Sequence, residues 1–266
     1  MQRIDEIDFG ALYRSHKALC GANAMKAEDW DKRAAKMGPR MRGAGLYNDF
    51  IRSKIDLNGA QTLLEIGCGA GSFCFDFAPS LQKVYAFDFS PAMLALLRER
   101  QAEIGATNIE SFQADIEGDW SGVPICDIVL ASRCMEVSDM EHVLKNIDAR
   151  AKKAVYITAK VGASFWSDEL LSAIGREIIP RPDYIYILNI LFAAGIYAKV
   201  DFAPVGDLQN APPSTKEAFI EAIAESFDGL KNEEIDRAAA YYDRCVSEGR
   251  SPSFRNNAWA LIRYEK

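Results

Sequence analysis

The sequence predicts an α/β fold, a doubly wound and mostly parallel sheet, on three observations. A short apolar run ending in an acidic residue leads into glycines at alternate positions, TLLEIGCGAGSFCFDF over residues 62–77. Further apolar runs of strand length recur at 84–88, 109–114, 126–131 and 153–159, and the segments between them read as helices. That alternation demands a parallel sheet with right-handed crossovers.

Residues 1–57 carry no strand pattern and read as a helical leader or lid. Ile4, Ile7, Leu12 and Tyr13 mark an amphipathic start, 29–37 a second helix and 46–55 a third that packs beside the sheet. At the glycine turn, Gly67, Gly69 and Gly71 carry no Cβ, so a backbone there can come close to a ligand. The spacing is G-x-G-x-G with Glu65 ahead; the dinucleotide fingerprint wants its third glycine where this chain has Ser72. An acid leading into the turn suits a ligand with a cationic end, such as a sulfonium with an amino-acid tail. A purely structural turn has the same spacing.

The second strand, VYAFD, ends in Asp88, a carboxylate placed to take two ribose hydroxyls, and Ser90-Pro91 opens the next helix. That helix covers 92–102 and stops at Gly105. The third strand ends in Asp115-Ile116, where a carboxylate can accept from an adenine amine, and the fourth is the apolar CDIVLA.

LLEIGCGAGSF, VYAFDFSPAML, FQADIEG and CDIVLASRCMEV resemble, in order and spacing, the four motifs of the class I S-adenosylmethionine-dependent methyltransferases over about residues 60–160. The resemblance implies a seven-stranded sheet of order 3-2-1-4-5-7-6, S-adenosylmethionine as cofactor and S-adenosylhomocysteine as product. It places Glu65, Gly67, Cys68, Gly69, Gly71, Asp88, Phe89, Met93, Asp115, Ile116, Ser132 and Arg133 at the cofactor. W-x-x-R-A in the leader resembles a stretch that some family members set near the cofactor, which adds Trp30 and Arg33; an aromatic anchor and a surface cation are the bland alternative.

Beyond the motifs, Ser138 with Glu141 reads as a capping box, and Met140, Val143, Leu144 and Ile147 form the buried stripe of the helix they open. His142 lies off that stripe. A helix at 170–178, an apolar aromatic helix at 183–195 and a sixth strand at 196–203 follow. A helical insert spans about 205–250, with a second capping box at Ser214 and Glu217, before a closing strand at 257–264. The expected organisation is a leader over 1–57 and a methyltransferase core over 58–266 that carries the insert.

Composition bounds the partners. With 31 cationic against 38 acidic side chains the net charge is −7, which argues against a large nucleic-acid footprint. A local basic stretch at 26–42 reads as a solvated helix face or as a phosphate contact. The six cysteines form no C-x-x-C pair and read as reduced core thiols, so no metal is expected. Without an 18-residue apolar run or an apolar leader segment, the expected setting is the cytoplasm, with no membrane partner.

Methyl transfer is an in-line displacement that positioning alone can drive far, so no conspicuous catalytic motif is required. After the fourth strand the chain reads Ala131-Ser132-Arg133-Cys134-Met135-Glu136, without the N/D-P-P-Y-like sequence of amino-methylating DNA and protein-glutamine enzymes. Arg133 is a candidate for an anionic substrate and Glu136 a candidate base, or the two pair with each other; Cys134 is a packed thiol. Tyr184 and Tyr186 wall an acceptor pocket, or serve the core or a homodimer interface. The expected activity is methyl transfer to a small-molecule acceptor. The alternatives are an RNA or protein substrate, or binding of the cofactor without turnover.

Overall fold

The computed structural model describes residues 3–21, 25–37, 45–162, 164–204, 212–227, 229–254 and 256–266. Five parallel strands form where the apolar runs predict them: β1 (Thr62–Ile66), β2 (Lys83–Asp88), β3 (Ile109–Gln113), β4 (Cys126–Ser132) and β5 (Ala151–Lys160). Two more, β6 (Lys199–Phe202) and β7 (Trp259–Glu265), complete the sheet in the order 3-2-1-4-5-7-6, with β7 antiparallel to both of its neighbours.

Both faces of the sheet are covered, which is why its central strands are apolar on both sides. On one face lie α1 (Phe9–Leu19), α6 (Met140–Arg150) and α8 (Tyr184–Ala193), packed through Tyr13, Val143, Ile147, Ile187 and Leu191. On the other lie α3 (Leu46–Lys54), the short α4 (Cys74–Phe77) and α5 (Pro91–Ile104), packed through Tyr47, Ile51, Phe73, Leu94 and Leu97. Helix α2 (Ala27–Lys36) lies against α5.

Local chemistry sets most element ends. Ser90 Oγ accepts from Met93 N at 3.1 Å to start α5, and Gly105 stops it in the left-handed conformation, φ +67°. Two expected caps are displaced by one residue. Helix α6 is capped by Asp139, because the Ser138 hydroxyl is taken by Glu117. Thr215, not Ser214, caps α9 (Lys216–Ser226). A helix was also expected between β3 and β4, and none forms: Trp120 turns into the core beneath Phe87, ring centroids 5.3 Å apart, and its Nε1 donates to Ile116 O at 3.0 Å.

The chain divides into two compact units. The first holds the leader, the sheet and its covering helices, so the leader is part of the sheet unit and not a body of its own. The second joins residues 162–181 to 205–258 and is larger than the expected 205–250 insert. It holds α7 (Asp168–Ile174), α9 and α10 (Asn232–Ser247) around Trp166, Phe219, Tyr241 and Phe254. Inside it, Arg176 donates to both carboxylate oxygens of Glu234 at 2.7 Å and stacks over Phe227, which draws the α7 end into this unit. Helix α7 ends at Gly175, φ +70°, earlier than the expected 178.

Among the described residues no helix is long and apolar enough to cross a membrane. The six cysteines are free thiols, four of them buried.

Candidate active site

The winding of the sheet reverses between β1 and β4, which opens a crevice at the carboxyl ends of the strands. The turn after β1 is braced by its own backbone: Cys68 N donates to Phe87 O at 3.0 Å and Gly71 N to Cys68 O at 2.9 Å. Gly67, Gly69 and Gly71 all have positive φ, +61°, +53° and +83°. They differ in what a side chain would meet. A Cβ at Gly67 would stand 2.5 Å from Cys134 Cβ and one at Gly71 2.6 Å from Phe75 Cε2, whereas at Gly69 the nearest atom is Met93 Sδ at 4.0 Å. Two of the three glycines therefore serve internal packing. Gly69 alone faces open space.

That contrast yields a prediction. Gly69→Ala should cost only about 1–2 kcal/mol of stability, the usual penalty for a left-handed alanine, while weakening cofactor binding about tenfold or more by filling the cradle. Gly67→Ala should cost roughly 2–4 kcal/mol, because overpacking against Cys134 adds to the backbone penalty. Thermal melts with and without S-adenosylmethionine separate the two; equal effects of both variants on folding would refute the distinction.

Asp88 stands beside Gly69. Its Oδ2 accepts from Gly69 N at 2.8 Å and its Oδ1 from Ser90 N at 2.9 Å, with Phe89 N a third donor. A carboxylate has about four lone-pair sites, so Asp88 keeps capacity for a ligand hydroxyl. It is 7% exposed, and burial pushes its carboxyl above the ordinary range. From the leader, Asp31 Oδ1 accepts from Ser90 Oγ at 2.6 Å and Ala92 N at 3.2 Å, fixing α2 to the start of α5. Asp31 also adds negative charge beside Asp88.

Glu65 is fully enclosed beneath the turn. It accepts from Cys74 Sγ at 2.7 Å and from the N–H groups of Phe73 and Cys74, and burial raises its carboxyl to about 7. Burial likewise pushes the Cys74 and Cys134 thiols up, so they act as packing groups. Cys134 donates to Ile66 O at 3.3 Å and lies against Gly67.

At the end of β4 the predicted residues are arranged by partners remote in sequence. Tyr47 Oη bonds Ser132 Oγ at 2.7 Å and Thr158 Oγ1 at 2.8 Å, and Arg133 N donates to Thr158 Oγ1 at 2.8 Å. Arg133 has φ +57°, and its guanidinium lies 4.4 Å from the centre of the Tyr47 ring. The sequence reading that Arg133 pairs with Glu136 gives way to this stack. Glu136 takes Lys17 Nζ at 3.2 Å instead.

Other expected residues fall in different places. Asp115 is exposed, its Oδ1 accepting from Glu117 N at 2.9 Å, and Ile116 beside it packs on the core. Met93 is buried under Gly69, and Phe89 is half-buried, its carbonyl accepting from Gln113 Nε2 at 3.1 Å. Trp30 lies under Arg33, 4.9 Å from ring centre to guanidinium. Tyr186 is bonded to His16 Nδ1 at 2.9 Å and packed edge-on to Tyr13, and Tyr184 packs edge-on to Phe202, so both rings brace α8. Of the basic stretch, Arg40 and Arg42 lie outside the described residues.

Sequence reasoning missed Tyr47, Thr158 and Asp31. A polar residue at the end of the buried strand β5 was the available signal for Thr158; Tyr47 and Asp31 offered none. A hollow of about 550 Å³ lined by Asp148, Tyr197, Lys199, Arg263 and Lys266 lies at the opposite end of β5 and β7, away from these groups.

The acidic crevice, the open Gly69 and the unspent acceptor capacity of Asp88 fit a cationic nucleoside. A methyltransferase-domain model matches residues 63–154, the span from β1 to β5. An uncharacterized protein of Haemophilus influenzae is 32% identical over 262 residues, 97% of each chain. Among solved structures, the N-methyltransferase NodS of Bradyrhizobium japonicum, in complex with S-adenosylhomocysteine, has a TM-score of 0.55 at 12% identity, covering 90% of this chain and 97% of that one. The methyltransferase partner of the Trm112 activator of Haloferax volcanii has a TM-score of 0.53 at 15% identity, covering 91% and 98%. The fold and the matched domain define a Rossmann-like methyltransferase. The chain belongs to the class I S-adenosylmethionine-dependent methyltransferases.

Proposed function

We propose that this enzyme transfers the methyl group of S-adenosylmethionine to a small-molecule acceptor in the cytoplasm. The observation that carries the reading is the Gly69–Asp88 pair, a backbone position without a side chain next to a buried carboxylate with lone pairs to spare. When bound, the cofactor supplies an electrophilic methyl on a cationic sulfur. Asp88 takes the ribose hydroxyls, Asp115 the adenine amine, and the carboxylates of Glu65, Asp88 and Asp31 favour a positively charged ligand over a pyrophosphate.

A small acceptor is supported by net charge and by the leader. The net charge of −7 disfavours a long polyanion as substrate. Helix α1 is fixed to the loop past β4 by Tyr13 Oη to Val137 O at 2.6 Å, and α3 to β4 and β5 by Tyr47, so the methyl-transfer side is hemmed in by helices. In-line displacement can run on positioning without a strong base. Tritium transfer from labelled S-adenosylmethionine into a lysate tests this: label should enter the small-molecule fraction, and label confined to RNA or protein would refute the reading.

A further inference from the structure

Arg133 departs from what its neighbours would dictate. It holds a left-handed backbone, rare for a residue with a long side chain and costly enough to need enforcement. The enforcement is visible: Thr158 Oγ1 takes its N–H, and Tyr47, 2% exposed, joins Thr158 to Ser132 on either side of the kink. The result is an exposed guanidinium laid flat on a buried phenol ring. Stacking occupies the face of the group and leaves its N–H edge available, and among the described residues no carboxylate is paired with it.

Arg133 precedes Cys134, which lies against Gly67 of the cofactor turn, but its guanidinium is stacked on Tyr47, whose further partners lie across β4. With strands in the order 2-1-4-5-7, Gly69 and Asp88 lie on the β1–β2 side of β4. The partners of Tyr47 lie on the other side, at Thr158 of β5 and at Trp259 of β7, whose ring centre is 6.2 Å away. Lys160, two residues past Thr158 on the same face of β5, is buried opposite Trp259 with its Nζ donating to Val161 O at 2.7 Å, so the exposed Arg133 carries the argument.

We propose that Arg133 recognises an anionic group of the acceptor, a carboxylate or a phosphate, and that Tyr47 is its positioning residue. This rests on the small-molecule reading above and names the class of molecule. Tyr47→Phe keeps the ring but releases Ser132 and Thr158, whereas Arg133→Gln removes the charge.

The test divides the small-molecule fraction of a lysate on an anion-exchange resin and assays each part with tritiated S-adenosylmethionine and the full-length enzyme. Acceptor activity is expected in the retained, anionic part; label appearing only in the flow-through overturns the proposal while leaving the small-molecule reading intact. No label in either part overturns both. Phosphatase treatment of the retained part then distinguishes a phosphate, whose acceptor activity is lost, from a carboxylate, whose activity persists; either supports the assignment. Arg133→Gln should raise the acceptor KM about 10- to 100-fold, the usual loss for a charge-assisted hydrogen bond, with the dissociation constant for S-adenosylmethionine unchanged. Tyr47→Phe should raise KM by less with kcat nearly kept. An Arg133→Gln enzyme with weakened cofactor binding and an unaltered acceptor KM would overturn the proposal, since the guanidinium would then serve the cofactor's own carboxylate.

Discussion

Asp88→Ala is expected to weaken S-adenosylmethionine binding by about 1.5–3 kcal/mol, the range for hydrogen bonds to a charged group, or roughly 10- to 150-fold in dissociation constant. Two contributions add. The ribose hydroxyls lose a charged acceptor, and the N–H groups of Gly69 and Ser90 lose the carboxylate that ties the two strand-end turns together. Asp88→Asn separates them, because a carboxamide keeps one acceptor oxygen for the turn but brings no charge. Calorimetric titration of both variants should show Asn between wild type and Ala. A dissociation constant unchanged in both would remove Asp88 from the proposed site.

The part of this site that the sequence made legible is the part built from neighbours. Glu65, the glycines and Asp88 sit at the tips of consecutive strands; the alternation of strand and helix made those strands parallel and the resemblance to the methyltransferases set them side by side, so their convergence could be read before any coordinates. The resemblance to the methyltransferases supplied the position of β7, which no local pattern dictates. What was not legible is held by distant pairs. Tyr47 meets Thr158 across 111 residues, Asp31 meets Ser90 across 59 and Arg176 meets Glu234 across 58. None leaves a periodic trace, and single charged or hydroxyl residues are ambiguous until their partners are known. The glycines were legible as a turn but not as individuals: spacing could not tell Gly69, which faces open space, from Gly67 and Gly71, which face Cys134 and Phe75.

Glu65 gives the second large effect, on stability and with a definite sign. Its carboxyl is raised to about 7 by burial, against an ordinary value of 4.5 in the unfolded chain. Between those values the folded protein holds a proton that the unfolded chain has lost, so stability is full below pH 4.5 and declines as pH rises through 7. A shift of that size is worth about 3 kcal/mol. Glu65→Gln cannot ionise, so its stability relative to wild type should improve by about that amount between pH 4.5 and 8. Urea unfolding of the cofactor-free proteins across that range measures the difference, which cancels the titration of every other group. A constant difference would mean that Glu65 ionises normally. The same variant should bind S-adenosylmethionine more weakly at pH 8, because a cationic ligand gains from the carboxylate that the empty fold is strained to keep. A single substitution that makes the fold sturdier and the binding poorer is the expected signature of a charge buried for the ligand's sake.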